Sequence, residues 1–184
     1  MDIFEKVVKN MGPIGAHAHY SHHYFSFPKL TGELGPRMTF MGKEMLNWSL
    51  NNYLGLANHP EVRKADADAA AQYGMAYPMG ARMMSGNSDN HLLLEKNLAE
   101  FVGTEDTMLV NYGYQGVVSA IDALCGRHDV IVYDAESHAC IIDGLRLVPG
   151  HRYVFKHNDV ADCEKQLQRA VVLAEKTGGG ILVI

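Results

Sequence analysis

The stretch "DVIVYDAESHACIIDGLRL", residues 129–147, decides the fold. Its first six residues set a short apolar run between two aspartates, the pattern of a strand buried on both faces. A short acidic loop follows. Residues 138–147 then read as a short helix carrying the apolar pair Ile141 and Ile142. His138 therefore stands between the end of one element and the start of the next.

The same rhythm extends outward from this stretch. "TMLVNY" (107–112) reads as a strand and "GYQGVVSAIDALCG" (113–126) as a helix. "RYVFKH" (152–157) is a strand, "DVADCEKQLQRAVVLAEKTG" (159–178) a helix, and "ILVI" (181–184) begins another strand. Short apolar strands separated by helices predict an α/β three-layer sandwich with a mainly parallel sheet covered on both faces. The rhythm is cut inside a strand unit at 181–184, so the chain is expected to be the N-terminal, truncated part of a longer protein.

Upstream, the pattern is less regular. Residues 1–10 predict an amphipathic helix with Ile3, Phe4, Val7 and Val8 on one side. Residues 11–36 mix Gly, Pro, His and aromatics without a period and read as an irregular arm. Residues 37–50 predict a small hairpin around Gly42–Lys43. Residues 59–74 and 87–103 predict helices, the second with Leu93, Leu94, Leu98 and Phe101 on one face and Gly103 as its C-cap. The expected domain division is 1–50, an arm and hairpin, and 51–184, the first part of a larger α/β domain.

Composition bounds the function class. The 184 residues are 47% hydrophobic and 20% charged, enough for one sizeable core. A net charge of −5 gives no overall basic signal for nucleic acid or an anionic membrane. Three cysteines, Cys125, Cys140 and Cys163, show neither metal nor redox spacing, which fits a reducing compartment. No run approaches the ~20 apolar residues of a membrane span, and the N-terminus lacks a signal-peptide core. A cytoplasmic protein without a transmembrane segment is expected.

Alternating strands and helices put function at the carboxyl ends of the strands. Three loops qualify. "NYGYQG" (111–116) places Gly113 and Gly116 at a helix start, where free amides and the helix dipole suit a phosphate. Tyr112 and Tyr114 there either pack on an aromatic ligand or cap the core. "YDAESHA" (133–139) carries His138, which either stacks on a flat ligand or caps its helix. "KHND" (156–159) offers Asn158 or Asp159 as an N-cap, with His157 structural. His91, three residues after Ser88, is expected to order its helix start. Four histidines, His17, His19, His22 and His23, lie in the arm without a helical i, i+4 pair and nearby carboxylate, so a flexible or interface arm is preferred to a metal site.

Four strings in order, "NNYLGLANHP" (51–60), "GARMMSGNSDNHLLLEKNLAEFVG" (80–103), "GYQG" (113–116) and "DAESHACIIDGLRL" (134–147), resemble the α-oxoamine synthases. The likeness runs from about residue 37 to the end. These pyridoxal 5'-phosphate (PLP) enzymes include glycine C-acetyltransferase, serine palmitoyltransferase, 8-amino-7-oxononanoate synthase and 5-aminolevulinate synthase. The resemblance implies an aspartate-aminotransferase-like fold (PLP fold type I) and a homodimer. It implies condensation of an amino acid such as serine or glycine with an acyl-CoA, with loss of CO2 and CoA, and leans to a serine palmitoyltransferase-like enzyme, with glycine C-acetyltransferase and 8-amino-7-oxononanoate synthase as the alternatives. Tyr24, Phe25 and Phe27 in the arm would then shelter a long acyl chain or pack on a partner subunit.

The resemblance also assigns residues. His138 matches the catalytic, ring-stacking histidine of the family's "SHAS" motif, where Cys140 replaces the usual serine at similar volume. Gly113 and Tyr114 match the Gly–aromatic pair that holds the cofactor phosphate. Asn51 matches the asparagine of "N-x-Y-L-G", and Arg82 the arginine of "GSR" or "GTR", both on the substrate side. Tyr112, Val117 and Ala81 depart from the residues usual at their positions. The family's Schiff-base lysine lies further along than residue 184, so the fragment alone is expected to be inactive. Outside the family, two readings remain: a cofactor-free interaction module with a filled cleft, and a metal-dependent hydrolase built on the arm histidines.

Overall fold

The computed structural model describes residues 2–21 and 27–184. The chain forms two compact units, Met1–Asn87 and Ser88–Ile184.

In the first unit, α1 (Ile3–Lys9) starts where the Asp2 carboxylate accepts the Phe4 amide at 3.2 Å. Helix α2 (Gly12–Tyr20) corrects the expectation of an irregular arm over 11–36. Pro13 sits in its first turn, where proline's missing N–H costs nothing and its fixed φ suits a helix. His17 and His19 fall in the last turn of this helix. His22, His23, Tyr24 and Phe25, which carried the histidine-tract and acyl-shelter expectations, lie outside the described residues. Three antiparallel strands follow: β1 (Leu30–Thr31), β2 (Arg37–Phe40) and β3 (Lys43–Leu46). The β2–β3 hairpin closes through Met41 and Gly42, with φ of +50° and +76°. Two left-handed residues in a two-residue loop match the twist of the flanking strands. A single 3-10 turn (Leu56–Asn58) leads into α3 (Pro60–Tyr73), which Pro60 opens and Gly74, at φ +88°, ends.

The second unit holds the expected parallel sheet. Its elements are α4 (Asp89–Val102), α5 (Gly113–Leu124), β4 (Val130–Asp134), α6 (Ala139–Leu147), β5 (His151–Phe155), α7 (Val160–Thr177) and β6 (Ile181–Val183). The strands run in parallel in the order β5-β4-β6. Helix α6 joins β4 to β5. Helix α7 then carries the chain past β4 to its other edge.

Alternation along β4 divides the core in two. Ile131, with Ile121, Leu145 and Val148, packs under α5 and α6. Val130 and Val132 pack with Ala170 and Ala174 of α7 on the opposite face. Val130, Ile131 and Val132 are wholly buried; each such side chain contributes about 1.5–3 kcal/mol of burial. Helices on both faces of one parallel sheet make the three-layer sandwich expected from the sequence. Gly144 lets α6 approach α5 closely, because a Cβ there would lie 2.9 Å from Ile121 Cδ1.

One expected strand is corrected. Residues 107–112 form no ladder among the described residues. The buried Glu95 side chain of α4 accepts the Leu109 amide at 2.7 Å, and the Glu95 carbonyl accepts the Thr107 hydroxyl at 2.7 Å. These two bonds tie the segment to α4.

Candidate active site at the end of the central strand

Strand β4 ends at Asp134, and the loop 135–137 delivers His138 to the N-cap of α6. The imidazole Nδ1 accepts the Cys140 amide at 3.2 Å and lies 2.9 Å from Cys140 Sγ. Ser, Thr, Asp or Asn usually takes this position; an imidazole does the same work with one nitrogen and keeps the second for other use. The His138 ring is exposed, whereas Cys140 is buried. His138 therefore caps its helix, and its remaining nitrogen has no partner among the described residues.

Tyr114, in the first turn of α5, meets the His138 ring edge-on, with centroids 6.1 Å apart and planes at 71°. Its hydroxyl donates to Asp143 Oδ2, and Asp143 Oδ1 accepts from Arg146 Nη1 at 2.6 Å. The bond to Asp143 raises the Tyr114 phenol above its ordinary range, and the same bond holds the Asp143 carboxyl below its own. Gly113 begins α5 beside Tyr114, and a Cβ built on it meets nothing within 4 Å. Among the described residues the amides of Gly113, Tyr114 and Gln115 find no acceptor, as the opening turn of a helix dictates. Free N–H groups, an imidazole and open space before them suit a flat ligand that carries an anionic group.

The loop carrying His138 is tied to its neighbour. Asp134 Oδ1 accepts the Glu136 amide at 2.7 Å and His157 Nδ1 at 2.9 Å, and Oδ2 accepts the Asn158 amide at 3.2 Å. These bonds hold Asp134 below the usual carboxylate range, the Glu136 amide first, while Asp134 raises His157. His157 is structural, as expected. Asp159 caps α7 by accepting the Asp162 amide at 2.9 Å. His91 Nδ1 lies 2.8 Å from Ser88 Oγ at the start of α4.

The sequence reading thus finds His138, Gly113 and Tyr114 gathered at one strand end. Asn51 and Arg82 belong to the first unit. Asn51 is exposed, with the Tyr53 hydroxyl 3.3 Å from its Oδ1. Arg82 is half-buried and donates to Asn87 Oδ1 at 2.8 Å. Asp143 and Asp134 were missed. Asp143 stands five residues past His138 on the same short helix, and no local pattern in the sequence marks it. No group of three His, Cys, Asp or Glu side chains among the described residues is placed to hold a metal. None of the described helices is long and apolar enough to cross a membrane.

The family described as aminotransferase class I and II matches residues 43–179. The chain belongs to that family. A cysteate-C-fatty acyltransferase of Capnocytophaga ochracea is 63% identical over 183 residues, covering all of this chain and 44% of that protein. A serine palmitoyltransferase of Bacteriovorax stolpii is 37% identical over 145 residues, 79% of this chain and 34% of that one. The solved Sphingomonas wittichii serine palmitoyltransferase superposes on the whole chain with a TM-score of 0.79 at 26% identity, covering 52% of its own length. The chain therefore spans about half or less of these relatives. Their names agree with the α-oxoamine synthase resemblance, and the superposition agrees with the fold it implied.

Proposed function

We propose that the full-length protein is a PLP-dependent acyltransferase that condenses an amino acid with a fatty acyl-CoA, releasing CO2 and CoA. The observation that carries this reading is the 63% identity, across essentially the whole chain, to a cysteate-C-fatty acyltransferase. That relative favours cysteate as the amino acid. Serine is the second reading, favoured by the 37% identical serine palmitoyltransferase.

The residues present fit the cofactor. The free amides at the start of α5, led by Gly113 and Tyr114, would hold its phosphate. His138 would lie against its ring, with Tyr114 supporting the imidazole edge-on. When bound, PLP supplies an electron sink for charge developing at the amino acid's α-carbon. His138 would orient the substrate through Nε2. Asn51 and Arg82 would bind its carboxylate region. In this reading residues 51–184 are the first part of the large cofactor-binding domain, residues 1–50 an arm and hairpin, and the full enzyme a cytoplasmic homodimer.

The test uses the purified full-length protein with palmitoyl-CoA and, in separate reactions, L-cysteate, L-serine and glycine. Release of free CoA thiol and the product mass are followed. Fastest turnover with cysteate is expected. Fastest turnover with serine selects the second reading, and no thiol release with any of the three overturns the function. Light scattering on the same sample is expected to give a dimer.

A further inference from the structure

Cys140 is buried, sits two residues beyond His138, and brings two hydrogen-bond donors to one ring nitrogen. The backbone N–H of Cys140, 3.2 Å from Nδ1, can only donate. While that bond is made, Nδ1 carries a lone pair and no proton. The thiol, 2.9 Å from the same nitrogen, then has one consistent role, that of a second donor. A thiolate facing an imidazolium would need a proton on Nδ1 and would leave the Cys140 amide pointing at it. In a neutral ring the proton consequently resides on Nε2. Nε2 has no partner among the described residues, and the ring is exposed.

We propose that Cys140 is a positioning residue that locks His138 in the Nε2–H tautomer, so that His138 meets the substrate as a hydrogen-bond donor and not as a base. A serine hydroxyl at the same position can donate to Nδ1 as the thiol does, so Cys140→Ser should preserve the lock. An alanine keeps only the longer backbone contact, so the ring is freer to turn away from it and lose the bond that holds Nδ1 bare. The proposal rests on the functional reading above for the identity of the substrate. The tautomer itself is a property of this chain and is measured without turnover.

The experiment uses the cofactor-loaded full-length protein with 15N-labelled histidine. A long-range proton–nitrogen correlation spectrum distinguishes the two tautomers, and His138 is assigned by the signals lost in His138→Gln. The wild type and Cys140→Ser are expected to show Nδ1 bare and Nε2 protonated. Cys140→Ala is expected to show averaging of the two nitrogens, with kcat falling about tenfold, the size of one lost hydrogen bond, and with cofactor occupancy and melting point held. A proton on Nδ1 in the wild type overturns the proposal. So does Cys140→Ala with wild-type tautomer and kcat. Should Cys140→Ala not fold, Cys140→Val, which fills the space without a donor, takes its place, and wild-type tautomer and kcat in that variant overturn the proposal. A locked tautomer in a protein that releases no CoA would uphold this proposal and overturn the functional reading.

Discussion

His157 donates from Nδ1 to Asp134 Oδ1 at 2.9 Å, joining the loops at the carboxyl ends of two adjacent parallel strands. The His157 Nε2 lies 3.7 Å from Glu136 and 3.0 Å from Asn158 Nδ2, so both of its nitrogens are engaged. This contact braces the loop on which His138 stands.

The brace has a pH window. His157 is raised by Asp134, so its contribution is full below its unfolded value, about 6.5, and is lost as pH rises through the higher folded value. Asp134 is lowered, so its contribution is full above about 3.9 and is lost as pH falls through the lower folded value. In the full-length protein, His157→Gln should lower the melting point most between about pH 4 and 6.5, and the difference should shrink in alkali. A difference that stays flat from pH 5 to 9 would show that the ion pair contributes nothing.

Asp129 makes a comparable tie at the other end of β4. Its two oxygens accept the amides of Gly126 and Gly180, each at 2.6 Å, linking the turn before β4 to the start of β6. The Gly126 amide, then the Gly180 amide, holds the carboxyl below its ordinary range. Its contribution is therefore present above the unfolded value and lost as pH falls through the folded one. Asp129→Ala should lower the melting point at pH 7 more than Asp129→Asn, which keeps one acceptor. Both deficits should narrow in acid, as melting curves from pH 3 to 7 would reveal.

Gly144→Ala should destabilise. The added Cβ meets Ile121 Cδ1 at 2.9 Å and Ile121 Cβ at 3.1 Å in a packed core. Overpacking costs about 1–3 kcal/mol, set against about 1 kcal/mol gained by alanine over glycine in a helix, so a net loss near 1 kcal/mol is expected. Urea titration of Gly144→Ala with and without Ile121→Val checks the cause, since the smaller partner should restore most of the loss.

His138→Ala should separate chemistry from binding. The free amides of α5 would still hold the cofactor, while turnover per bound cofactor should fall about 10²–10⁴-fold. Unchanged normalised turnover with a lowered melting point would make His138 a helix cap alone.

Much of this site was legible because its signals are local. A strand end, a histidine and a helix start are adjacent in the chain, and the Gly113 turn has the same form. The Tyr114–Asp143 bond spans 29 positions and joins two helices, and no periodicity announces such a contact. Residues 107–112 show the converse limit. Their apolar character reports an extended, partly covered segment and names no pairing partner, so the Glu95 side chain could take Leu109 without a trace in the pattern. Helix α2 was hidden by its glycines and proline. Gly12, at φ +64°, and Pro13 mark its beginning and do not interrupt it.

The spatial order β5-β4-β6 has a consequence for biosynthesis. The middle strand leaves the ribosome before either of its neighbours. When β5 and later β6 emerge, each finds an unused edge of a strand already made, and no pair must open to admit a third. Helix α6 lines one side of that template before β5 arrives, and α7 the other before β6 does. The order of synthesis therefore permits these three strands to assemble from the centre outward.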